Sequence, residues 1–211
     1  MDIVRLNLSN PEKNIIEQAA AVLKQGGVVA YPTDTAYGLA ADALNENAIG
    51  KLFIIKQRVQ KPLPVIVDSV TMLKKIARVS AAEKKIMDAY WPGAVTIIFD
   101  KVESVPPFLT LGLPTVGVRI PDLQAAQMLV KAAGSPITST SANLSGKGNC
   151  YSAECVLRMF QANDAQPDLI LDAGDLPEVP VSTVVRLENG KITIIRQGPV
   201  KVRGAQPAKA A

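Results

Sequence analysis

Short β-rich segments alternate with longer amphipathic segments along most of this 211-residue chain. Apolar residues recur at helical spacing between Ile15 and Leu23, and a glycine pair at 26–27 ends that segment. The β-rich run Val28–Tyr31 follows at once and is closed by Pro32. Because this alternation is typical of helices that cover a sheet, it predicts an α/β architecture.

Capping and turn residues indicate where other elements begin and end. Asn10 with Pro11 stands before the first helix, and residues able to cap a helix stand before later helical segments: Asn45, Ser80, Asp122 and Ser152. Apolar runs predict strands within residues 64–67, 95–99, 116–120, 136–138 and 169–171. Near the end, Thr183–Leu187 and Ile192–Ile195 flank an Asn-Gly turn at 189–190, which predicts a hairpin.

These elements predict one three-layer α/β (α+β) domain in which helices flank a twisted β-sheet. The closing hairpin requires antiparallel pairing, so the sheet is expected to be mixed. A chain this long can bury enough apolar surface to fold as one unit. We therefore expect a single domain over residues 1–203 and a flexible tail over residues 204–211, where the periodic pattern ends.

Histidine is absent from the sequence, which excludes mechanisms built on an imidazole base or a histidine-ligated metal. Cys150 and Cys155 are too few for a cysteine-rich zinc site, and nothing requires them to pair. No metal site is therefore predicted. Reduced cysteines, the lack of a bilayer-length apolar run and the lack of a secretory pattern after Met1 predict a cytoplasmic protein.

Three polar segments are candidates for the chemistry, and each also has a simpler interpretation. Residues 31–39 place hydroxyls after a buried strand, where α/β sheets bind ligands, but such residues also form ordinary turns. Lys56, Arg58 and Lys61 fit either a polyphosphate clamp or a solvated helix end. Residues 139–146 fit either a nest of backbone N–H groups for an anion or a solvated loop, and they complete no P-loop.

Arg119 stands within a strand pattern between Val118 and Ile120. An exposed strand face is the simpler explanation of its charge. If Arg119 points inward instead, burial of its charge requires an anionic partner. Ser182 and Arg196 flank the closing hairpin and also have a simple interpretation as solvated strand residues.

Taken in order, these motifs resemble the YrdC-like family, whose enzymes are threonylcarbamoyl-AMP synthases. The resemblance spans residues 27–185 and is close to the short, single-domain form of the family. Each motif is short, and the ordered set is highly specific. The matching segments are residues 27–35, Lys56-x-Arg58 with residues 61–63, residues 91–93, residues 118–121, residues 141–146 and residues 182–185.

The resemblance implies that L-threonine, bicarbonate and ATP, with Mg²⁺, give threonylcarbamoyl-AMP and pyrophosphate. It implies phosphate contacts at Lys56, Arg58, Ser141 and Asn143, and further ATP contacts at Thr115, Asn149 and Arg196. It implies contacts with threonine or its carbamate at Thr33, Thr35, Lys61, Arg119, Ser139 and Ser182. Arg119 would pair with the amino-acid carboxylate. If Lys56 and Arg58 form an exposed phosphate clamp, replacing either by Ala should stop turnover with little loss of stability.

The product would supply the tRNA threonylcarbamoyl-transferase machinery, with tRNA or double-stranded RNA as further partners and no membrane partner. Two other hypotheses stand beside the synthase. The net charge of +4 suits an RNA-binding or ribosome-associated module, although many other proteins share it, and 4% aromatic residues argue against a base-stacking platform. A paralogue with the same fold and altered chemistry is the third, and the intact Lys56-x-Arg58 and Ser141-x-Asn143 pairs argue against it.

Overall fold

A computed structural model describes residues 1–57 and 61–208 of the chain. Within these ranges the helices are α1 (Lys13–Lys24), α2 (Glu46–Lys56), α3 (Val70–Leu73), α4 (Ala81–Tyr90), α5 (Pro107–Thr110), α6 (Gln124–Ala133) and α7 (Ala153–Phe160). The strands are β1 (Asp2–Arg5), β2 (Val29–Tyr31), β3 (Gly38–Ala40), β4 (Val65–Ile66), β5 (Val95–Asp100), β6 (Thr115–Arg119), β7 (Ile137–Thr138), β8 (Thr140–Ser141), β9 (Leu169–Asp172), β10 (Thr183–Glu188), β11 (Lys191–Arg196) and β12 (Gln206–Pro207). The predicted alternation of strands and helices is therefore confirmed.

The strands are divided between two mixed sheets. The first has the order β1-β9-β2-β3-β8, and the second has the order β12-β11-β10-β5-β6-β4-β7. In the first sheet β2 runs parallel to β9 and antiparallel to β3. In the second, β5 runs parallel to β10 and antiparallel to β6, and the predicted hairpin of β10 and β11 is antiparallel. The predicted α/β class, with mixed pairing and flanking helices, is confirmed, but the strands form two sheets where one was predicted.

Helix starts follow the predicted caps in three places. The side chain of Asn45 accepts from the N–H groups of Asn47 (3.0 Å) and Ala48 (3.2 Å) at the start of α2. Ser80 forms a capping box at α4, and the Ser152 hydroxyl accepts the Cys155 N–H at α7. Each cap satisfies a backbone donor that the helix leaves unpaired.

Two predicted caps are wrong. The residue before α1 is Glu12 rather than Asn10, and its carboxylate accepts the N–H of Asn7 (3.0 Å), which bends the chain before the helix begins. The residue before α6 is Leu123, without a side-chain cap, so Asp122 lies one position too early. The Asp122 N–H instead lies 3.4 Å from the carboxylate of Asp34.

The chain passes from the second sheet to the first at Ser139, between β7 and β8. The buried hydroxyl of Thr138 donates to the carbonyl of Leu39 (3.1 Å) and accepts the N–H of Ala41 (2.9 Å), so β7 is fastened to the segment around β3. The N–H of Ser139 donates to the carbonyl of Pro64 (2.8 Å), just before β4. These bonds hold the two sheets together along one side, and a cleft opens between them.

The segment predicted as a flexible tail is partly paired. Gln206–Pro207 lies parallel to β11, and the N–H of Ala208 donates to the carbonyl of Ile194 (3.1 Å). Residues 209–211 lie outside the described part of the chain. The division of the chain at residue 203 stays a prediction. Within the described ranges, no helix combines the length and the apolar character that a membrane crossing requires.

The two cysteines, expected to be reduced, form a disulfide between Cys150 and Cys155. Spacing alone did not require this pairing, but the chain turns into α7 directly after Cys150 and brings the two Cα atoms to 5.4 Å. Cys150 is buried, and its carbonyl accepts the N–H of Tyr37 (2.9 Å). The disulfide therefore fixes the segment that follows the loop at 141–147.

Replacing Cys155 by Ser should lower the free energy of unfolding by about 2 kcal/mol, because a cross-link over a loop this short removes that much chain entropy from the unfolded state. For a chain of this size the melting temperature should fall by roughly 4–8 °C. Calorimetry with and without dithiothreitol measures it. The reductant should lower the wild-type melting temperature and leave the variant unchanged. A wild-type protein that does not respond to the reductant would contradict the cross-link.

Candidate functional site

The cleft between the two sheets has a volume of about 630 Å³. The first sheet contributes the turn between β2 and β3 together with β8, and the second contributes the approach to β4 and parts of β5, β6, β10 and β11. Most of the predicted site residues line this one cleft: Thr33, Thr35, Lys61, Thr115, Arg119, Ser139, Ser141, Ser182 and Arg196. Segments far apart in sequence therefore converge, as the resemblance implied.

Three other predicted residues, Lys56, Asn143 and Asn149, are not among the residues that line the described cleft. Lys56 and Asn143 lie directly beneath Ser141 and bond to its loop. Asn149 is not among the lining residues, so the structure does not bring it to the cleft. Arg58 lies outside the described residues. The individual roles of all the predicted residues stay predictions.

The turn between β2 and β3 is locked by a threonine side chain. The Thr33 hydroxyl donates to the carbonyl of Ala36 (2.6 Å) and accepts from the N–H groups of Thr35 and Ala36 (both 3.2 Å). The Thr35 hydroxyl lies 3.1 Å from it. A hydroxyl has one donor and two acceptor positions, so these bonds use the full capacity of Thr33. Its hydroxyl shapes the turn that carries Asp34 at its tip.

Arg119 points inward, and Asp34 is the anionic partner that burial of its charge requires. Its side chain is 6% exposed, and its Nη1 donates to Oδ1 of Asp34, whose side chain is 13% exposed. The alternative of an exposed strand face is therefore wrong. Because Asp34 belongs to the first sheet's turn and Arg119 to β6 of the second sheet, this ion pair joins the two sheets beside the cleft.

The Lys56 side chain organises the loop at 141–147 from below. It is 1% exposed, and its Nζ donates to the carbonyls of Ser141 and Asn143 (2.8 Å for the latter) and to Oδ1 of Asn143 (3.1 Å). The Lys56 carbonyl in turn accepts the N–H of Ser145 (3.0 Å). The end of α2 and the loop are thus joined in both directions. The expectation of little stability loss assumed an exposed cation and does not hold for Lys56.

Of the two interpretations of this loop, the nest of backbone N–H groups does not form. The N–H groups of Ala142 and Asn143 donate to the carbonyls of Tyr37 (2.8 Å) and Ser141 (2.9 Å). The N–H groups at 145 and 147 are also taken by carbonyls within the protein. The loop therefore presents the edge of Ser141 to the cleft instead of a run of consecutive N–H groups.

On the opposite wall, Arg196 is fixed by the backbone and side chain of Ser182. Its Nε and Nη2 donate to the Ser182 carbonyl (3.2 and 2.8 Å), and Nη2 lies 3.3 Å from the hydroxyl. That hydroxyl lies 2.9 Å from the hydroxyl of Thr96 in β5. Burial lowers the pKa of Arg196, and the nearby charge of Arg119 lowers it further. Two guanidinium groups therefore act on the same cleft.

Sequence reasoning missed two residues of this site. Asp34 and Thr96 were not selected, although each carries a signal: a carboxylate in a turn between two buried strands, and a hydroxyl within an apolar strand. Tyr31, whose buried hydroxyl donates to that of Ser139 (3.1 Å), lies beneath them. Burial raises the pKa of Tyr31 to about 12.

A cleft walled by hydroxyls and by the guanidinium groups of Arg119 and Arg196 is suited to anions, so fold and site together define an α/β protein of the anion-binding class. The chain belongs to the Sua5/YciO/YrdC family, whose model, described as "Telomere recombination", matches residues 21–198. The resemblance seen in the sequence is thereby confirmed.

Named relatives and a solved structure agree with this membership. The chain is 36% identical over 185 residues to a threonylcarbamoyl-AMP synthase of Pyrococcus abyssi, covering 87% of this chain and 54% of that one. It is 36% identical over 171 residues to the synthase of Photorhabdus laumondii, covering 79% and 89%. The structure of P. abyssi Sua5 complexed with L-threonine matches at a TM-score of 0.88 and 34% identity, covering 94% and 58%. The chain thus spans about half the length of the P. abyssi relative.

Replacing Lys56 by Met should lower the free energy of unfolding by about 3 kcal/mol, because buried oxygens of Ser141 and Asn143 lose their donor. Urea denaturation measures the loss. The control Lys13→Met removes an exposed ammonium that pairs with Glu17 along α1 and should cost no more than about 0.5 kcal/mol. Equal effects of the two substitutions would contradict the structural role of Lys56.

Stability should fall as the pH rises from 10 to 12, because unfolded tyrosine ionises near 10 while the pKa of Tyr31 in the folded protein is about 12. In that window the unfolded state has released a proton that the folded state keeps. Tyr31→Phe should flatten the decline, measured by urea denaturation across this range. The variant keeps Tyr37, whose pKa is raised in the same way, so part of the decline should persist. Parallel curves for the two proteins would refute the shift.

Proposed function

We propose that this chain condenses L-threonine, bicarbonate and ATP into threonylcarbamoyl-AMP and pyrophosphate. The observation that carries the proposal is the convergence of hydroxyls and cations from both sheets on one cleft of about 630 Å³. This volume lies within the range that is usual for small-molecule sites. It is suited to ligands such as a nucleotide or an amino acid. The threonylcarbamoyl-AMP synthases among the relatives support the same reaction.

The chemistry needs alignment more than a reactive side chain. The threonine amine and bicarbonate give a carbamate and water. A carbamate oxygen then attacks the α-phosphate of ATP, forming the mixed anhydride and releasing pyrophosphate. Neither step requires a protein nucleophile or an imidazole, which agrees with a sequence that has no histidine. What the protein must supply is the placement of two anions and compensation of their charge.

The geometry supports separate binding roles for the residues that line the cleft. Arg119 would receive the amino-acid carboxylate, with Thr35 and Ser182 nearby for the hydroxyl and the carbamate. Ser141 and Arg196 would face the nucleotide phosphates, with Thr115 also on the nucleotide side. Lys56 would serve the phosphates indirectly, by holding the loop that carries Ser141. Lys61 is exposed at the cleft and would attract anions as a point charge.

The described residues that line the cleft include no carboxylate, and the described chain holds no cluster of three acidic, histidine or cysteine residues. Mg²⁺ prefers carboxylate and phosphate oxygens, so these residues do not fit a resident magnesium ion. In this proposal Mg²⁺ enters with ATP, coordinated by the phosphates, as part of the substrate. No step is assigned to a metal held by the protein.

The product is a reactive mixed anhydride, which a transferase must consume. We place this chain upstream of a tRNA threonylcarbamoyl-transferase in the cytoplasm, with tRNA reached through that enzyme. Direct contact with tRNA or double-stranded RNA belongs to the competing hypothesis of an RNA-binding module. In that case RNA affinity would fall steeply with salt, and ATP would not turn over.

Purified protein incubated with L-threonine, bicarbonate, Mg²⁺ and ATP should release pyrophosphate, measured by a coupled assay. Omitting threonine should abolish the signal. Arg196→Gln should lower kcat/KM at least tenfold, because a cation that lines the cleft is lost, a loss of about 1.4 kcal/mol or more in transition-state stabilisation. The control Arg203→Gln removes an exposed arginine that does not line the cleft and should leave the rate unchanged.

Pyrophosphate release that persists without threonine would overturn the proposed reaction. ATP turnover with a different amine acceptor would favour the paralogue of altered chemistry. Salt-sensitive RNA binding without turnover would favour the RNA-binding module.

A further inference from the structure

We propose that Asp34 is a positioning residue: it holds one edge of the Arg119 guanidinium so that the remaining N–H groups receive the carboxylate of the amino-acid substrate. The inference rests on the proposed function and adds to it a residue that the family resemblance did not imply. Asp34 itself does not line the cleft, whereas Arg119 does, so Asp34 acts through its partner.

The hydrogen bond to Asp34 uses one of the terminal nitrogens of the Arg119 guanidinium. Oδ1 of Asp34 accepts from Nη1 of Arg119, one of the two terminal nitrogens. A guanidinium has five N–H donors in a planar fork, and a carboxylate engages such a fork best through two parallel bonds. Asp34 thus leaves an edge of the fork for a second carboxylate while fixing the plane of the group.

Both ends of the Arg119 side chain are anchored before any ligand arrives. Its backbone lies in β6, between β5 and β4, and its carbonyl accepts the N–H of Val67 (3.1 Å). At the other end, Asp34 stands in the turn that the Thr33 hydroxyl locks. An unrestrained arginine would lose rotamer freedom on binding, and this arrangement removes that loss from the binding step.

Charge balance points to the same role. Arg196 acts on the same cleft, and the pKa of Arg196 is lowered by burial and by the charge of Arg119. Asp34 offsets part of the Arg119 charge. Without Asp34, the buried guanidinium of Arg119 would face the charge of Arg196 with no anion to offset it, and the repulsion would favour a different position of Arg119.

The test compares the binding of L-threonine and L-threoninamide, which lacks the carboxylate charge, by calorimetry on wild-type protein, Asp34→Asn and Asp34→Glu. Wild-type protein should bind threonine more tightly than the amide. Asp34→Asn should weaken threonine binding at least tenfold and change amide binding less than twofold. Asp34→Glu, which keeps the charge, should recover part of the preference. The KM for threonine should rise with the loss of affinity, while the KM for ATP stays within twofold.

Asp168→Asn is the matched control. Asp168 pairs with Lys51 (2.6 Å) and accepts the N–H of Val28 (2.7 Å), outside the cleft lining. Its loss should lower the melting temperature and leave the preference for threonine over the amide intact. If Asp34→Asn does not fold, the proposal is judged on Asp34→Glu, which should show a reduced but measurable preference.

Three results would overturn the proposal. An equal loss of threonine and amide binding in Asp34→Asn would mean that Asp34 only supports the fold. Tighter threonine binding in that variant would mean that Asp34 competes with the substrate for Arg119. If the wild-type protein binds the two ligands equally well, Arg119 does not bind the carboxylate of the substrate. Failure of the proposed function appears separately, as wild-type protein without threonine-dependent pyrophosphate release.

Discussion

The ion pair between Asp34 and Arg119 is the contact on which the geometry of the cleft depends. It joins a turn of one sheet to a strand of the other, and both side chains are almost completely buried. Desolvation cancels much of the Coulombic gain of such a pair, so its contribution to net stability is modest. Loss of either partner is costly, however, because the other charge stays buried alone. The pair therefore fixes how the two sheets face each other more than it strengthens the fold.

The same logic of satisfied polar groups runs through the rest of the site. Thr33 uses its hydroxyl to lock the turn, Lys56 uses its ammonium to hold the loop below Ser141, and Ser182 fixes Arg196. Within the described residues, every fully buried side-chain nitrogen or oxygen has a hydrogen-bond partner. Groups held this firmly need little rearrangement when a charged ligand arrives, which is how a site stabilises developing charge efficiently.

The sequence predicted the helices and strands better than their assembly. Local signals sufficed for the capping box at Ser80 and for the hairpin around Asn189, because a few neighbouring residues determine each. The division of the strands into two sheets depends on which edges pair over long distances, and no local pattern encodes that. Short strands such as β3 and β8 carry too few residues for a periodic signal. The disulfide depends on how the chain turns before α7, which the spacing of Cys150 and Cys155 did not reveal.

Site residues were harder to predict the farther away along the chain their partners lie. The requirement that an inward Arg119 find an anion followed from the sequence, but Asp34 as that anion needed the fold, since 85 residues separate them. Lys56 was correctly selected as a residue of interest. Its cation was expected to be exposed, because a cation at a helix end is normally solvated, but it is buried. In the folded protein, carbonyl and amide oxygens of Ser141 and Asn143 accept hydrogen bonds from its ammonium and take the place of water. Because these oxygens lie 85 and 87 residues further along the chain, the sequence alone could not show that this cation holds a loop instead of facing solvent.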